Sequence, residues 1–169
     1  VDVTANDSDA DSALNKASVT VVTAAQHGIT SVDTGTGVIS YTPAGNYNGS
    51  DSFSYQVQDI YGANSNVVTV SVTVQPVNDA PQAVADIAST TEDTALMVDV
   101  LANDSDIDSG DSLDPATLTL VTSPTHGTAQ ISHGQVSYTP AANFNGSDTF
   151  SYTVADQQGA VSNVASVMI

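Results

Sequence analysis

Apolar and polar residues alternate along most of the chain, in short runs closed by Gly, Pro, Asn or Asp. Alternation places every second side chain on one face of a strand, and the closing residues supply turn chemistry. In the C-terminal half the pattern predicts strands near 83–89 and at 95–101, 117–122, 128–132, 135–138, 149–155 and 162–169. The N-terminal half repeats all of these except the first. In the strand at 149–155, Phe150, Tyr152 and Val154 share one face while Ser151 and Thr153 take the other; Phe53, Tyr55 and Val57 repeat the arrangement. No segment shows helical periodicity. Short strands with turns about every 8–12 residues predict two antiparallel Greek-key sandwiches of about seven strands each, the first without its opening strand.

The halves are copies. Val1-Asp2-Val3-Thr4-Ala5-Asn6-Asp7-Ser8-Asp9 returns as Val98-Asp99-Val100-Leu101-Ala102-Asn103-Asp104-Ser105-Asp106, an offset of 97 residues. Tyr41-Thr42-Pro43-Ala44, Asn48-Gly49-Ser50-Asp51 and Phe53-Ser54-Tyr55 return at the same offset, whereas His27-Gly28 matches His126-Gly127 at 99. The second copy therefore gains residues before the histidine and loses them after it, as loops permit. A period this long is a domain, not a solenoid turn. The reading is a first repeat over 1–77, a linker over 78–81 and a second repeat over 82–169. The linker lies between Pro76 and Pro81 and contains no glycine, so it reads as a stiff joint. The chain opens in mid-pattern, as an excised fragment does, and shows no signal sequence.

Composition sharpens the fold. There are 23 Val against 6 Leu, a ratio suited to pleated surfaces and not to helices. Charge then narrows the function. Lys16 is the only strong base against 19 carboxylates, for a net charge of -18. Such a chain cannot neutralise phosphates or an anionic membrane surface. No apolar run approaches the roughly 18 residues of a membrane span. Without cysteine there is no disulfide, thiolate nucleophile or Cys-zinc site. Of the acids, 18 are Asp, and ten of those fall in the windows 2–11 and 99–114. Asp is favoured where a short carboxylate bonds its own loop or reaches a cation.

In a sandwich of this kind the loop after the strand at 95–101, the loop after the strand at 149–155 and the incoming linker share one pole. Asn103, Asp104, Asp106 and Asp108 lie in the first, Asp156 in the second, and Asn78 and Asp79 in the linker. Left without a counter-charge, these carboxylates repel one another. A hard cation with about 6–8 oxygen ligands resolves the conflict, and calcium suits an irregular loop cage better than magnesium. Asp104-x-Asp106-x-Asp108 imitates the start of an EF-hand. However, Ser109 stands at the turn glycine, Pro115 where the bidentate Glu belongs, and no helices flank it.

Several motifs together resemble the bacterial cadherin-like tandem repeat of large secreted adhesins. They are Glu92-Asp93-Thr94, Val100-Leu101-Ala102-Asn103-Asp104-Ser105-Asp106, His126-Gly127-Thr128, Tyr138-Thr139-Pro140, Asn143-Phe144-Asn145-Gly146-Ser147-Asp148 and Val77-Asn78-Asp79-Ala80-Pro81. The resemblance covers nearly the whole chain and implies immunoglobulin- or cadherin-like sandwiches. By likeness to cadherins it implies calcium at the domain junction on Asn78, Asp79, Asp104, Asp106 and Asp156, with Glu92 serving the far pole. The first copy lacks the Asp-Arg-Glu motif of cadherins. It repeats Asn6, Asp7, Asp9, Asp11 and Asp59, which predicts an incomplete, weaker site. The Asp51-to-Tyr55 and Asp148-to-Tyr152 spacing resembles the tyrosine corner of immunoglobulin-like domains.

The remaining features read as structural. His27 and His126 sit at a corner before glycine, and His133-Gly134 in a hairpin turn. No Gly-x-Ser-x-Gly elbow occurs, so the chain reads as no enzyme. The Asn-x-Ser sequons starting at Asn6, Asn48, Asn103 and Asn145 read as incidental. The expected role is a calcium-rigidified spacer in a bacterial adhesin, secreted or at the cell surface. Its partners are neighbouring repeats of the same chain and possible cell-surface proteins or glycans. The competing role is a carbohydrate- or protein-binding accessory module of a secreted enzyme. That role needs exposed aromatics, for which only Tyr47, Tyr61 and Phe144 lie in loops.

Overall fold

The computed structural model describes all residues from Val1 to Ile169. It contains strands and turns only, and no helix is long and apolar enough to cross a membrane. The chain divides into two compact units, Val1–Val77 and Asn78–Ile169.

In the second unit, β6 (Asp86–Ile87), β12 (Ala165–Met168), β11 (Thr149–Asp156) and β8 (Leu113–Thr122) form one sheet in that order. A second sheet holds β7 (Leu96–Val98), β10 (Gln135–Pro140) and β9 (Gly127–Ser132). Every pairing is antiparallel except β6 with β12. Val98, Val136 and Tyr138 from one sheet and Leu118, Phe150, Tyr152, Ala165 and Val167 from the other bury into a single core. The unit is thus an all-β sandwich, closed by the alternation that the sequence displays.

In the first unit, β1 (Leu14–Thr23), β4 (Gly49–Asp59) and β5 (Val68–Val74) form one antiparallel sheet, and β2 (Gly28–Val32) pairs with β3 (Ile39–Pro43). Its core is Val3, Val19, Ile39, Phe53, Tyr55 and Val57.

Three expectations shift. The strand expected over 83–89 shrinks to Asp86–Ile87, because the chain before it takes other partners. Gln82 exchanges two backbone bonds with Ser105, and the Asn163 side chain clamps both the N–H and the C=O of Ala83. The strand expected over 95–101 stops at Val98, where Asp99 starts a turn. At the corresponding place in the first unit, Val1 exchanges two backbone bonds with Ile39 before Asp2 turns the chain by accepting from Thr4. Finally, Ser54 and Ser151 face away from the core yet are buried, because their hydroxyls engage neighbouring strands. Thr23 N–H donates to Ser54, and the Thr122 and Ser151 hydroxyls lie 2.7 Å apart.

The length difference between copies falls in loops. Six residues, Asp33 to Val38, join β2 to β3, whereas His133-Gly134 alone join β9 to β10. Both residues of that pair have positive φ, 52° and 77°, as a type I′ hairpin requires.

The repeated His-Gly pairs are corners. His27 stacks on Tyr47 at 4.3 Å and His126 on Phe144 at 4.5 Å. The glycine is required by close approach: a Cβ on Gly127 would lie 2.6 Å from both the Tyr138 ring and the Thr139 carbonyl oxygen. Asp148, 4% exposed, holds this corner by accepting from the amides of Thr125, His126 and Thr149 and from the Tyr138 hydroxyl. Asp51 does the same with Gln26, His27, Ser52 and Tyr41. Burial alone would raise the Asp51 pKa, but the His27, Gln26 and Ser52 amides and the Tyr41 hydroxyl outweigh it and bring it to about 2.

Overpacking at the corner predicts that Gly127→Ala lowers stability by about 1–3 kcal/mol, read as a lower urea midpoint. A midpoint unchanged from the parent chain contradicts this. The depressed Asp51 pKa predicts acid sensitivity of a definite sign. Its folded value lies below the unfolded 3.8, so its contribution is complete above pH 3.8 and lost as pH falls through about 2. Asp51→Asn is expected to be less stable at neutral pH and to show a flatter pH dependence between pH 4 and 2, as followed by near-ultraviolet circular dichroism.

Candidate metal centre

The acidic pole of the second unit is built by three segments. The turn at Asp99 ends β7 and sends residues 101–112 across the end of the sandwich. The bridge between Gln82 and Ser105 ties that loop to the incoming chain. The end of β11 delivers Asp156, which is 1% exposed.

Five of the expected residues are linked here. Asn78 donates through Nδ2 to Asp156 Oδ2 at 2.8 Å. Asp156 Oδ1 accepts from the amides of Gln158 and Ala160. Asp79 N–H donates to Asp108 Oδ2 at 2.6 Å, and Asp108 N–H to Asp106 Oδ1 at 2.7 Å. The second oxygen of Asp106 is enclosed and has no hydrogen-bond partner. Burial works against ionisation of Asp156, but the Asn78 side chain and the amides of Ala160, Gly159 and Gln158 overcome it, so its pKa falls below the usual range.

Asn103 and Asp104 face elsewhere. Asn103 donates to the Ala85 carbonyl. Asp104 accepts from Val84 N–H at 2.7 Å, and both its oxygens lie 3.0 Å from the Tyr152 hydroxyl. That hydroxyl also lies 2.6 Å from the Val100 carbonyl. Tyr152 therefore does not close a local tyrosine corner, as its spacing suggested. It reaches 52 residues back to the end of the strand on the opposite sheet. Burial, followed by the hydrogen bond to and the charge of Asp104, pushes the Tyr152 pKa far above that of a free phenol. Asp86, beside this group, has its pKa raised by burial and by the charge of Asp104.

The first unit repeats part of the scheme. Tyr55 hydroxyl lies 2.9 and 3.1 Å from the oxygens of Asp7 and 2.8 Å from the Val3 carbonyl. Asp9 accepts from the amides of Asp11 and Ser12, and Asp59 from those of Tyr61 and Ala63. Asp59 Oδ2 accepts from the Ser12 hydroxyl, where Asp156 has Asn78. The Asp9 side chain and charge raise the pKa of Asp11, while the amides that Asp9 accepts lower its own. Glu92 is exposed beside a cavity of about 260 Å³ that Thr90, Phe144 and Ile169 help to line.

Sequence reasoning missed Gln158, whose Nε2 donates both to Asn78 Oδ1 and to Asp111 Oδ2. It also missed the Asn163 clamp. The repeated Ser65-Asn66-Val67 and Ser162-Asn163-Val164 carried a signal for the second but none for the first, because Tyr61 occupies the position of Gln158.

The donor set is the right kind for a hard cation: carboxylates and amides, one carboxylate oxygen buried and orphaned, and no Lys or Arg anywhere in the second unit. It is not gathered into a cage, and no three Asp, Glu or His side chains stand close enough together to hold an ion. The linker amide of Asp79 and the side chain of Asn78 occupy oxygens that a cation would need.

Comparison with known proteins gives two family matches. The model of the bacterial Ig domain matches residues 78–169, and that of the bacterial cadherin-like domain matches residues 1–76. No curated protein matches the chain. Among solved structures, an endo-fucoidan hydrolase from glycoside hydrolase family 107 aligns over 89% of this chain and 23% of its own, at 16% identity and a TM-score of 0.35. A single-residue variant of that hydrolase aligns over the same shares at 18% identity and a TM-score of 0.36. The chain thus spans about a quarter of the length of these two structures. Domains of the two matched families are typically non-catalytic modules and usually occur in extracellular or surface proteins. Repeated sandwiches, a matched motif set and two family models converge: the chain is a tandem pair of bacterial immunoglobulin-like, cadherin-like repeats and belongs to that family.

Proposed function

We propose that the chain is a spacer of a secreted or cell-surface adhesin, stiffened by calcium at the acidic pole of its second repeat. The observation that carries this reading is the orphaned Asp106 oxygen, buried without a hydrogen-bond partner in a unit that has no Lys or Arg. A buried, unpaired carboxylate oxygen costs several kcal/mol unless a partner arrives. Asp106 and Asp156 would supply charge, and Asn78 and Asp79 would supply the linker's share. The ion supplies electrostatic neutralisation and a fixed centre for oxygen ligands. Asn78 and the Asp79 amide, whose hydrogen bonds to Asp156 and Asp108 hold the linker on the pole, would have to yield those oxygens to an ion. A bound ion would therefore tie the incoming chain to both acidic loops and limit its swing, which is the mechanical need of a long stalk.

Calcium that binds the folded form alone stabilises by mass action, about 2.7 kcal/mol at a hundredfold excess over Kd. The expected result is a melting temperature that rises with millimolar calcium and returns with chelator. Asp106→Asn should abolish most of the rise while leaving the calcium-free chain folded. An unchanged melting temperature together with no calorimetric heat of calcium binding would overturn the reading.

A further inference from the structure

The two sheets of the second unit end in β6 and β8, and in β7 and β9. Three of these edges are poor templates for a further strand. β6 and β7 are two and three residues long. β8 carries Pro115, and its register with β11 shifts twice. Short strands, proline and irregular register are devices that keep sheet edges from pairing. β9 has none of them. Its six residues, Gly127 to Ser132, pair with β10 in unbroken register, bear no charge and include no proline. β10 is its only neighbour in the sheet.

The free edge is ordered for pairing. Ser132 and Gln135 flank the two-residue turn and so exchange bonds with each other. By alternation, the N–H and C=O of Ala129 and Ile131 point away from β10. Their side chains share the inner face with Tyr138 and Val136, opposite which they lie. Ala129 is half-buried against the core, whereas Ile131 is still 41% exposed. Gln130, between them, is exposed on the outer face.

Charge selects the partner. Residues 115–147 hold no carboxylate and no Lys or Arg, the longest such stretch in a chain of net charge -18. β9, β10 and most of β8 fall inside it. Two copies of so acidic a chain repel wherever carboxylates face carboxylates, and β9 lies where there are none.

We propose that β9 pairs with β9 of a second copy of this chain, antiparallel about a two-fold axis through Gln130. In that register Ala129 exchanges both outward bonds with the partner's Ile131, and Ile131 with the partner's Ala129, so the two sheets become continuous. The edge is self-complementary. On the inner face each Ile131 lies across from the partner's Ala129, large against small, which covers its exposed surface. On the outer face the two Gln130 side chains meet at the axis, each amide able to donate and accept. The inference is independent of calcium.

The test uses the full chain, which has no native cysteine. Gln130→Cys sets two thiols across the axis, with Cα atoms about 4.5 Å apart, a span that a disulfide accepts. Thr128→Cys sets them four residues out of register, about 13 Å apart, which a disulfide cannot bridge. With oxidised glutathione as oxidant, Gln130→Cys should give a covalent dimer at least about tenfold faster than Thr128→Cys. Sedimentation of the parent chain should show a dimer that grows with concentration. Gln130→Glu puts like charges opposite each other and should weaken that dimer about fivefold or more, with the melting temperature of dilute protein unchanged. A chain that stays monomeric at every concentration rules the pairing out. Equal cross-linking at 128 and 130, or a dimer indifferent to Gln130→Glu, would place the contact on another surface and equally defeat the proposal.

Discussion

A buried phenol bonded to a loop carboxylate is the contact on which each repeat turns. Tyr152 rises from the centre of β11, crosses the core, and meets the Val100 carbonyl and the Asp104 carboxylate at the end of the opposite sheet. Tyr55 meets Val3 and Asp7 in the same way. A hydrogen bond from a buried hydroxyl to a half-buried carboxylate is charge-assisted and stronger than a neutral one. It fixes where the strand before the acidic loop stops, and so where that loop begins. The pole inherits its shape from this contact.

Carboxylates do two jobs in this chain, and the structure separates them. Asp51, Asp148, Asp7 and Asp104 act as acceptors inside the fold, each meeting amides or a tyrosine hydroxyl. Asp106, Asp108 and Asp156 gather around the incoming chain, where one oxygen remains unsatisfied. The first group makes the sandwich; the second gives its pole a surplus of negative charge.

Much of the fold was legible because alternation with period two is enforced by burial on one face. Phe150, Tyr152 and Val154 are all almost fully buried, as their spacing requires. The internal repeat made the reading robust, since the same faces had to work twice. Edge segments were less legible. The residues at 83–89 alternate like a strand, but Asn163 captures Ala83 and Asp104 captures Val84, and no local pattern reveals a partner some 80 residues away. At the pole, topology indicated which loops meet but not which way each side chain points. Asp104 was therefore grouped with Asp106, although Tyr152 holds it on another side. Gln158 went unseen because amides carry no charge to attract notice.

The second repeat holds carboxylates but no Lys or Arg. It therefore has none of its own with which to pair its carboxylates. Self-repulsion inside the domain is then set by the Debye length, about 10 Å at 0.1 M salt and about 30 Å at 0.01 M. Repulsion among the acidic loops therefore reaches farther at low ionic strength than at high.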